Sequence, residues 1–244
     1  MDGECKGIPL LALRGEGQER IEKENGTMVA YAREKVTSLP PSPVPERLTP
    51  QEYLKRERQA ETRSEYHRGV MVKMAGASRN HNRINSNVSF HLRSQLAERG
   101  CEIFISDQRV RVPECEKYYY PDIAVVCGEA QFEDAELDTL LNPTLIVEVL
   151  SESTQLKDRS EKFFCYQTLP SVVTYVLITQ DSPQVEVFQR QESGWLCQMV
   201  RGMESQVTLE SIGCTLRLAD IYARVTFPEP SEQELPIPNT SEQA

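Results

Sequence analysis

The sequence predicts one α/β domain in which helices flank a β-sheet. Four apolar residues, Ile84, Val88, Leu92 and Leu96, recur at four-residue intervals and form one stripe, as in a helix that packs on a core. Residues 144–150 form a nearly continuous apolar run, which is typical of a strand buried on both faces. Strand-like segments precede and follow this run, so a layered sheet-and-helix domain is expected.

Start and turn signals define the other elements. Thr49-Pro50-Gln51-Glu52 combines a cap residue, a proline and an acid at helix-start spacing, and predicts a helix to about residue 60. A hairpin of residues 64–67 and 70–74, turning at Arg68-Gly69, is expected next, followed by a longer helix from a cap at Ser78 to Gly100. Further strands are predicted at residues 101–106, 109–112, 122–127, 172–179, 184–189 and 195–201, and further helices at residues 132–141, 155–169 and 218–225.

The two ends of the chain differ from its middle. Residues 1–45 mix charge, glycine and proline, and the proline-rich residues 38–45 are typical of an extended linker. We expect a mostly disordered extension there, with Met28 as an alternative start. Residues 46–227 are expected to form the domain, and residues 228–244 a disordered acidic tail.

The composition describes an ordinary globular protein. Apolar residues make up 39% and charged residues 26% of the 244 residues, and a core of this size needs no disulfides. None of the seven cysteines lies in a Cys-x-x-Cys pair, so we expect reduced thiols in a cytoplasmic protein. No apolar run approaches the roughly 20 residues that cross a bilayer, so no membrane association is expected.

The net charge of −10 argues against a strongly basic nucleic-acid-binding protein. Part of this acidity lies at the ends, because residues 1–44 carry 7 acids and 6 bases, and residues 228–244 carry 4 acids and no base. Residues 45–227 carry 26 acids and 21 bases, a net charge of −5. A local basic surface can exist in this part, but the composition does not supply one.

Two carboxylates occur where charge is costly. Asp122 opens an apolar strand, and Glu148 lies inside the run Leu-Ile-Val-Glu-Val-Leu, on the same strand face as Ile146 and Leu150. A buried carboxylate must be ion-paired, hydrogen-bonded or bound to a metal, because burying it alone costs several kcal/mol. The pattern leaves a buried ion pair and a metal site as alternatives.

The helix after the Glu148 strand carries Asp158 and Lys162, four residues apart on one face. An exposed ion pair is one interpretation of this spacing. The other is that the helix starts beside the end of the Glu148 strand and turns Lys162 toward that carboxylate.

Three stretches, residues 120–126, 143–154 and 158–163, together resemble the Uma-type endonuclease family of the PD-(D/E)XK nuclease superfamily. The resemblance extends from about Leu48 to Phe227 and includes residues 64–67, residues 74–76 and His81. It implies a restriction-endonuclease-like mixed β-sheet core flanked by helices, with a C-terminal antiparallel extension.

Carried over position by position, the resemblance implies four catalytic residues. Asp122 corresponds to the acid of the Pro-Asp motif, and Glu148 to the glutamate of the Glu-x-Lys element. Glu65 resembles the acidic residue of the N-terminal region, and Lys162 resembles the lysine that this family moves from the strand to the following helix. The superfamily's usual lysine position holds Leu150 in this chain.

The implied activity is that of a metal-dependent endonuclease-like phosphodiester hydrolase acting on DNA, leaving 5′-phosphate and 3′-hydroxyl ends. Mg²⁺, or Mn²⁺ in its place, is expected on Asp122 and Glu148, with Glu65 and the Val149 carbonyl as further ligands, because hard cations prefer oxygen. Lys162 would orient the attacking water or pair with the phosphate. A homodimer would let two sites address two strands. The alternative is a nuclease-fold module with weak or no catalysis that binds nucleic acid or a protein partner.

Three further residues are open to more than one interpretation. Arg68 stands where the family resemblance favours an acidic or small residue, and it is interpreted either as a turn substitution or as a partner that occupies Glu65. His81 is interpreted either as a polar contact near the helix start or as a phosphate contact. His91 is expected to be structural or exposed, since ten positions of separation put it out of phase with His81.

A short basic and aromatic stretch precedes Asp122. Arg109, Arg111 and Lys117 could supply a small basic patch beside the Asp122 strand. Residues 118–120 are three tyrosines, which are expected either to pack against a neighbouring element or to stack bases.

Overall fold

The computed structural model describes residues 21–24, 27–30 and 47–228. The chain divides into two units, residues 1–44 and 45–244. In the first unit, β1 (Ile21–Glu24) and β2 (Thr27–Ala30) pair antiparallel. These strands are regular structure in a segment that was predicted to be mostly disordered. The rest of that prediction, and the predicted acidic tail from residue 229 on, lie outside the described residues.

The second unit alternates helices and strands. Its helical segments are α1 (Pro50–Glu57), α2 (Arg79–Leu96), α3 (Gln155–Lys157), a π-helical turn (Asp158–Lys162), α4 (Phe163–Gln167) and α5 (Leu218–Ile221). Its strands are β3 (Ser64–His67), β4 (Val70–Lys73), β5 (Cys101–Ile105), β6 (Arg109–Val112), β7 (Lys117–Tyr119), β8 (Ile123–Cys127), β9 (Thr139–Leu140), β10 (Leu145–Leu150), β11 (Thr174–Thr179), β12 (Gln184–Gln191), β13 (Gly194–Arg201), β14 (Gln206–Leu209) and β15 (Cys214–Arg217). Among the described residues, no helix is long and apolar enough to cross a membrane.

The central sheet is mixed. Its six strands run in the order β13-β12-β11-β10-β8-β5. Only β10 and β11 pair in parallel within this order, and the α3–α4 segment connects them, since parallel neighbours need a crossover connection. The other pairs are antiparallel, including the β11-β12-β13 meander at the C-terminal side.

A smaller sheet and a hairpin complete the domain. The smaller sheet has the order β4-β3-β7-β6-β9, and β14 pairs with β15 as a separate antiparallel hairpin. The protein therefore has the expected restriction-endonuclease-like architecture, with a mixed sheet, flanking helices and antiparallel strands toward the C-terminus.

Each face of the central sheet has its own core. The α2 stripe of Ile84, Val88, Leu92 and Leu96 packs on one face, against Leu145, Val147 and Val149 of β10 among others. The opposite face packs Ile146 and Leu150 against Tyr166 and Tyr175. Because side chains alternate along a strand, Glu148 lies on this second face with Ile146 and Leu150, as the sequence indicated.

The predicted helix starts and the predicted hairpin are confirmed. Thr49 and Glu52 form a reciprocal capping box at α1, and the Ser78 hydroxyl accepts from the His81 N–H at α2. The hairpin turns with positive φ at Arg68 (48°) and Gly69 (95°), the backbone of a two-residue hairpin loop. A Cβ on residue 69 would lie 2.8 Å from the Arg47 Cβ, so a glycine is required at this position.

The helix predicted at residues 132–141 is wrong. Residues 139–140 form β9, which pairs in parallel with β6, and Phe132 bridges to Leu140. Tertiary ion pairs outweigh the local propensity: Arg58 lies 2.7 Å from Asp134 and 2.8 Å from Asp138, and the buried Arg109 also pairs with Asp138. The sequence analysis also missed β7, β14 and β15.

The expectation of reduced thiols is wrong for four cysteines. Cys101 and Cys127, opposite each other on β5 and β8, form one disulfide, and Cys115 and Cys165 form the second. The pairs are 26 and 50 residues apart, so sequence spacing gave no sign of either. Cys197 is a free, exposed thiol and Cys214 a free, buried one.

We expect the denatured but unreduced protein to expose at most three reactive thiols, because disulfides engage four of its seven cysteines. Thiol titration in denaturant, before and after reduction, measures this number. Mass spectrometry of a non-reduced digest should recover the Cys101–Cys127 and Cys115–Cys165 peptide pairs. Seven reactive thiols before reduction would contradict the pairing.

Candidate active site

Asp122 and Glu148 are neighbours across two strands. Val147 pairs with Ile123 at the end of the β10–β8 ladder, so the next residue on each strand brings Glu148 opposite Asp122. The Val149 N–H donates to Asp122 Oδ2 at 2.7 Å, which fixes the orientation of this carboxylate. Glu148 is only 3% exposed. The fold therefore brings together two carboxylates that are 26 residues apart in sequence.

Lys162 lies at the centre of the site. Its Nζ lies 3.0 Å from Glu148 Oε1, 3.1 Å from Asp158 Oδ1 and 3.6 Å from Glu65 Oε1. All four predicted catalytic residues, Glu65, Asp122, Glu148 and Lys162, thus belong to one cluster. The sequence analysis missed its fifth member, Asp158, as a site residue.

A π-helical turn presents two of these side chains to the interior. Asp158 is the first residue of the turn and Lys162 is the last, and the two residues are 2% and 7% exposed. The interpretation of an exposed ion pair is therefore wrong, because both side chains point into the protein. Single π turns occur frequently at functional sites, since the wider turn redirects side chains. No sequence signal distinguished this turn from ordinary α-helix.

The site holds more negative charge than its ammonium can balance. Burial raises the pKa of Glu148 well above its usual range; Lys162 opposes this shift, and the charges of Asp158 and Asp122 add to it. Burial alone would lower the pKa of Lys162, but Glu148, Glu65 and Asp158 raise it well above its usual range. Lys162 therefore keeps its proton, and its single positive charge is shared among several carboxylates. A bound proton or a cation is needed to balance the remaining negative charge.

Glu65 has its own positive partners. Lys157 Nζ lies 2.6 Å from Glu65 Oε2, and the His67 ring lies 3.1 Å from the same oxygen. Burial opposes ionisation, but the His67 hydrogen bond and the charges of Lys162 and Lys157 lower the pKa of Glu65 to about 2. Arg68 instead donates to the Cys115 carbonyl at 3.4 Å. Lys157 and His67, and not Arg68, are therefore close partners of Glu65, and the sequence analysis gave neither of them a role in the site.

His81 makes a polar contact at the start of α2. Its Nε2 lies 3.1 Å from Asp122 Oδ2, while its Nδ1 is buried without a hydrogen-bond partner among the described residues. His81 therefore supports the orientation of Asp122. His91 packs edge-to-face against the exposed Phe90 on the outer part of the same helix.

Of the two alternatives for the tyrosines before Asp122, the structure supports packing against neighbouring elements, and within residues 47–228 the three nearby cations do not form an unpaired basic patch. Arg109 pairs with Asp138, Arg111 with Glu133 and Lys117 with Glu161. The three tyrosines at residues 118–120 are at most 3% exposed, so they pack inside the domain and cannot stack bases.

The donor set fits a hard divalent cation. Among residues 47–228, Asp122 Oδ1 and Glu148 Oε2 accept no hydrogen bond, which leaves one oxygen on each carboxylate available. In the same part of the chain, no three His, Cys, Asp or Glu side chains are arranged as a ligand set. An ion held by Asp122 and Glu148 alone would keep several waters, as Mg²⁺ commonly does.

Related proteins were found by sequence. An uncharacterized protein of Synechocystis sp., sll1609, is 40% identical over 161 residues, which cover 66% of this chain and 91% of that protein. A second uncharacterized Synechocystis protein, slr1290, is 31% identical over 193 residues, which cover 79% of this chain and 100% of that protein.

Structural comparison agrees on the fold. A crystal structure from Anabaena variabilis, described as a putative nuclease belonging to DUF820, matches with a TM-score of 0.57 and 21% identity over 70% of this chain and 96% of that one. Residues 50–219 match the model of the family Uma2, whose description is "Putative restriction endonuclease". Because that match covers most of the domain, this chain belongs to the Uma2 family.

Proposed function

We propose that this protein is a Mg²⁺-dependent endonuclease that hydrolyses phosphodiester bonds in DNA. The observation that carries the proposal is the cluster in which Asp122 and Glu148 lie opposite each other and Lys162 lies 3.0 Å from Glu148. Membership of a family described in terms of restriction endonucleases supports a nucleic-acid substrate, and the choice of DNA rests on that relationship.

The two carboxylates are held in place by neighbouring groups. The Val149 N–H orients Asp122, and the Lys162 ammonium orients Glu148. A divalent cation on these oxygens would stabilise charge on the phosphate and lower the pKa of a bound water. Glu65 is proposed as a further ligand, which would bind the cation after its contacts to Lys157 and Lys162 are broken.

Lys162 acts as a cation and hydrogen-bond donor in this proposal. The surrounding carboxylates raise the pKa of Lys162 well above its usual range, so it keeps its proton at neutral pH. A protonated amine cannot remove a proton from water. It can donate to the attacking water or to a phosphate oxygen, and offset the negative charge that develops there.

The second candidate is a nuclease-fold module that binds nucleic acid or a protein partner without efficient cleavage. The observation in its favour is that both oxygens of Glu65 are engaged, one by Lys157 at 2.6 Å and the other by Lys162 at 3.6 Å. If cleavage requires Glu65 as a ligand, Lys157 must first move away.

We expect the purified chain to nick supercoiled plasmid in the presence of Mg²⁺ or Mn²⁺, and excess EDTA to stop the reaction. Asp122→Asn should lower the rate by at least about a hundredfold, because it removes a ligand charge and not merely a supporting contact. Gel electrophoresis of a time course measures the rate. Asp220→Asn, which changes an acid of α5 paired with Arg217, is the matched control and should cleave as the native chain does.

Two outcomes would contradict the proposal. One is equal cleavage by the native and Asp122→Asn chains, which would point to a contaminating nuclease. The other is an absence of cleavage with both metals, which would favour the binding module.

A further inference from the structure

Helix α2 is a cationic element in an acidic protein. The chain carries a net charge of −10, yet the 18 residues Arg79–Leu96 include three arginines, two histidines and no aspartate or glutamate. The helix contains no acid that its three arginines could neutralise, and its buried stripe uses only apolar and small polar side chains. The arrangement of charge along the chain thus creates a local surface that composition alone did not reveal.

A polar groove lies beside the first half of this helix. It has a volume of about 560 Å³, and its lining residues are Arg79, Asn82, Arg83, Ser86, Asn87, Ala223 and Arg224. Three of the seven are arginines, three are amides or a hydroxyl, and none is acidic. Guanidinium, amide and hydroxyl groups are the donors that bind phosphate oxygens.

The segment after α5 forms the other wall of the groove and is tied to α2. Asn87 Nδ2 donates to the carbonyls of Ile221 at 2.9 Å and Ala223 at 3.0 Å, and Arg83 donates to the Arg224 carbonyl. Arg224 has a φ of 63°, a left-handed backbone conformation that is uncommon outside glycine, asparagine and aspartate. The groove is therefore built by specific contacts.

Two of the arginines in the groove have no partner in the part of the chain that the structure describes. Within residues 47–228, the side chains of Arg79 and Arg224 make neither an ion pair nor a hydrogen bond, whereas Arg109 and Arg111 are both paired with acids. His81, two residues after Arg79 on the same helix, contacts Asp122. Because two residues correspond to about 200° around an α-helix, the groove and the active site use different faces of α2.

We propose that this groove binds backbone phosphates of the nucleic acid, on a face of α2 that differs from the face at the active site. The inference rests on the proposed function and adds to it the surface that holds the polyanion. An acidic protein repels nucleic acid at long range, so binding needs a local cationic region on its surface. An open groove with separated guanidinium groups fits an extended chain of phosphates better than a single small anion.

The test measures binding of the full-length chain to a fluorescently labelled DNA duplex by anisotropy, in EDTA and at several salt concentrations. The test variant combines Arg79→Gln with Arg224→Asn, since asparagine tolerates the positive φ at residue 224. We expect affinity to fall at least about tenfold and the slope of log K against log salt to decrease by about 2, one step for each lost phosphate contact.

Arg93→Gln is the matched control, because it removes the same charge from an exposed position of the same helix outside the groove. Its affinity and salt slope should stay close to those of the native chain. Thermal unfolding of all chains checks that the substitutions leave the fold intact. Equal affinity and equal slope in the native and double-variant chains would overturn the inference, as would a loss in Arg93→Gln of the same size.

The outcomes separate this inference from the proposed function. Groove-dependent binding without metal-dependent cleavage would remove the catalytic assignment and support the groove. Cleavage by a double variant that still binds the duplex as the native chain does would support the catalytic assignment and remove the groove. A native chain that neither binds nor cleaves would remove both. If polyglutamate displaces the duplex as readily as unlabelled DNA does, the groove is a site for acidic peptides, and the nucleic-acid assignment fails.

Discussion

Lys162→Met is expected to destabilise the folded protein by about 3–5 kcal/mol near pH 8 and to abolish cleavage. Lys162 is 7% exposed and is the ammonium nearest to Glu148 and Asp158, at 3.0 and 3.1 Å. Methionine has a similar length and no charge, so the substitution leaves two buried carboxylates facing each other without a cation. Removal of one partner from a buried charge cluster is costly because the remaining charges stay desolvated.

The loss should depend on pH in a defined direction. Without Lys162, the carboxyl of Glu148 has no nearby cation to favour ionisation, so its pKa in the folded state rises further above that in the unfolded state. A group with a raised pKa stabilises the fold while it is protonated and loses that contribution as pH rises through the folded pKa. The difference in unfolding free energy between native and variant chains should therefore be smaller near pH 5 than near pH 8.

Urea unfolding at the two pH values measures this difference. Lys157→Met is the matched control on the same helical segment, because its side chain is 29% exposed and pairs with Glu65 nearer the surface. It should cost less than the Lys162 substitution, as partly exposed pairs contribute less. An equal loss at both pH values would contradict the role of Lys162 as the cation that favours ionisation of Glu148.

The sequence predicted the elements whose signals are local. Thr49 and Ser78 begin helices through short-range caps, and the Ile84 stripe predicts the buried face of α2 because helical periodicity repeats within a few residues. Asp122 and Glu148 stood out because a carboxylate in an apolar strand requires a partner, and the resemblance to the Uma-type family then implied that they are site residues. Strand alternation then placed Glu148 on the correct face.

The features that the sequence did not predict depend on contacts between distant segments. Asp158 is a site residue only because a π turn directs it inward, and Lys157 reaches Glu65 across 92 residues of sequence. The disulfides likewise join cysteines that only the fold brings together: Cys101 and Cys127 lie on neighbouring strands, and Cys115, between β6 and β7, meets Cys165 of α4. Residues 132–141 have a composition suited to a helix, but pairing of Asp134 and Asp138 with arginines elsewhere selects a different backbone.

Glu148→Gln is expected to abolish cleavage without the stability loss that usually follows a change in a buried ion pair. Lys162 keeps Asp158 at 3.1 Å and Glu65 at 3.6 Å as counter-charges, so the amide leaves no isolated ammonium. The substitution also removes a carboxylate that is costly to ionise in this position. Active sites commonly hold such groups at the expense of stability.

Titration of Glu148 determines how the stability difference between the native and Glu148→Gln chains changes with pH. Burial, with Asp158 and Asp122 nearby, raises the pKa of Glu148 above its unfolded value, so its contribution to stability is present at low pH and declines as pH rises through the folded pKa. The amide that replaces this carboxyl in the variant cannot titrate. Thermal unfolding should therefore show similar stability of native and variant chains near pH 5 and an advantage for the variant near pH 9.

Glu186→Gln is the matched control for this experiment. Glu186 is also a buried glutamate of the central sheet, 6% exposed, but it pairs with Arg159 at 2.8 Å and lies outside the cluster. Its substitution leaves Arg159 without that acid, so it should lower stability at neutral pH and preserve cleavage. If Glu148→Gln instead loses stability as Glu186→Gln does, with no gain toward high pH, Glu148 is a structural partner of Lys162 and not a carboxylate held for catalysis.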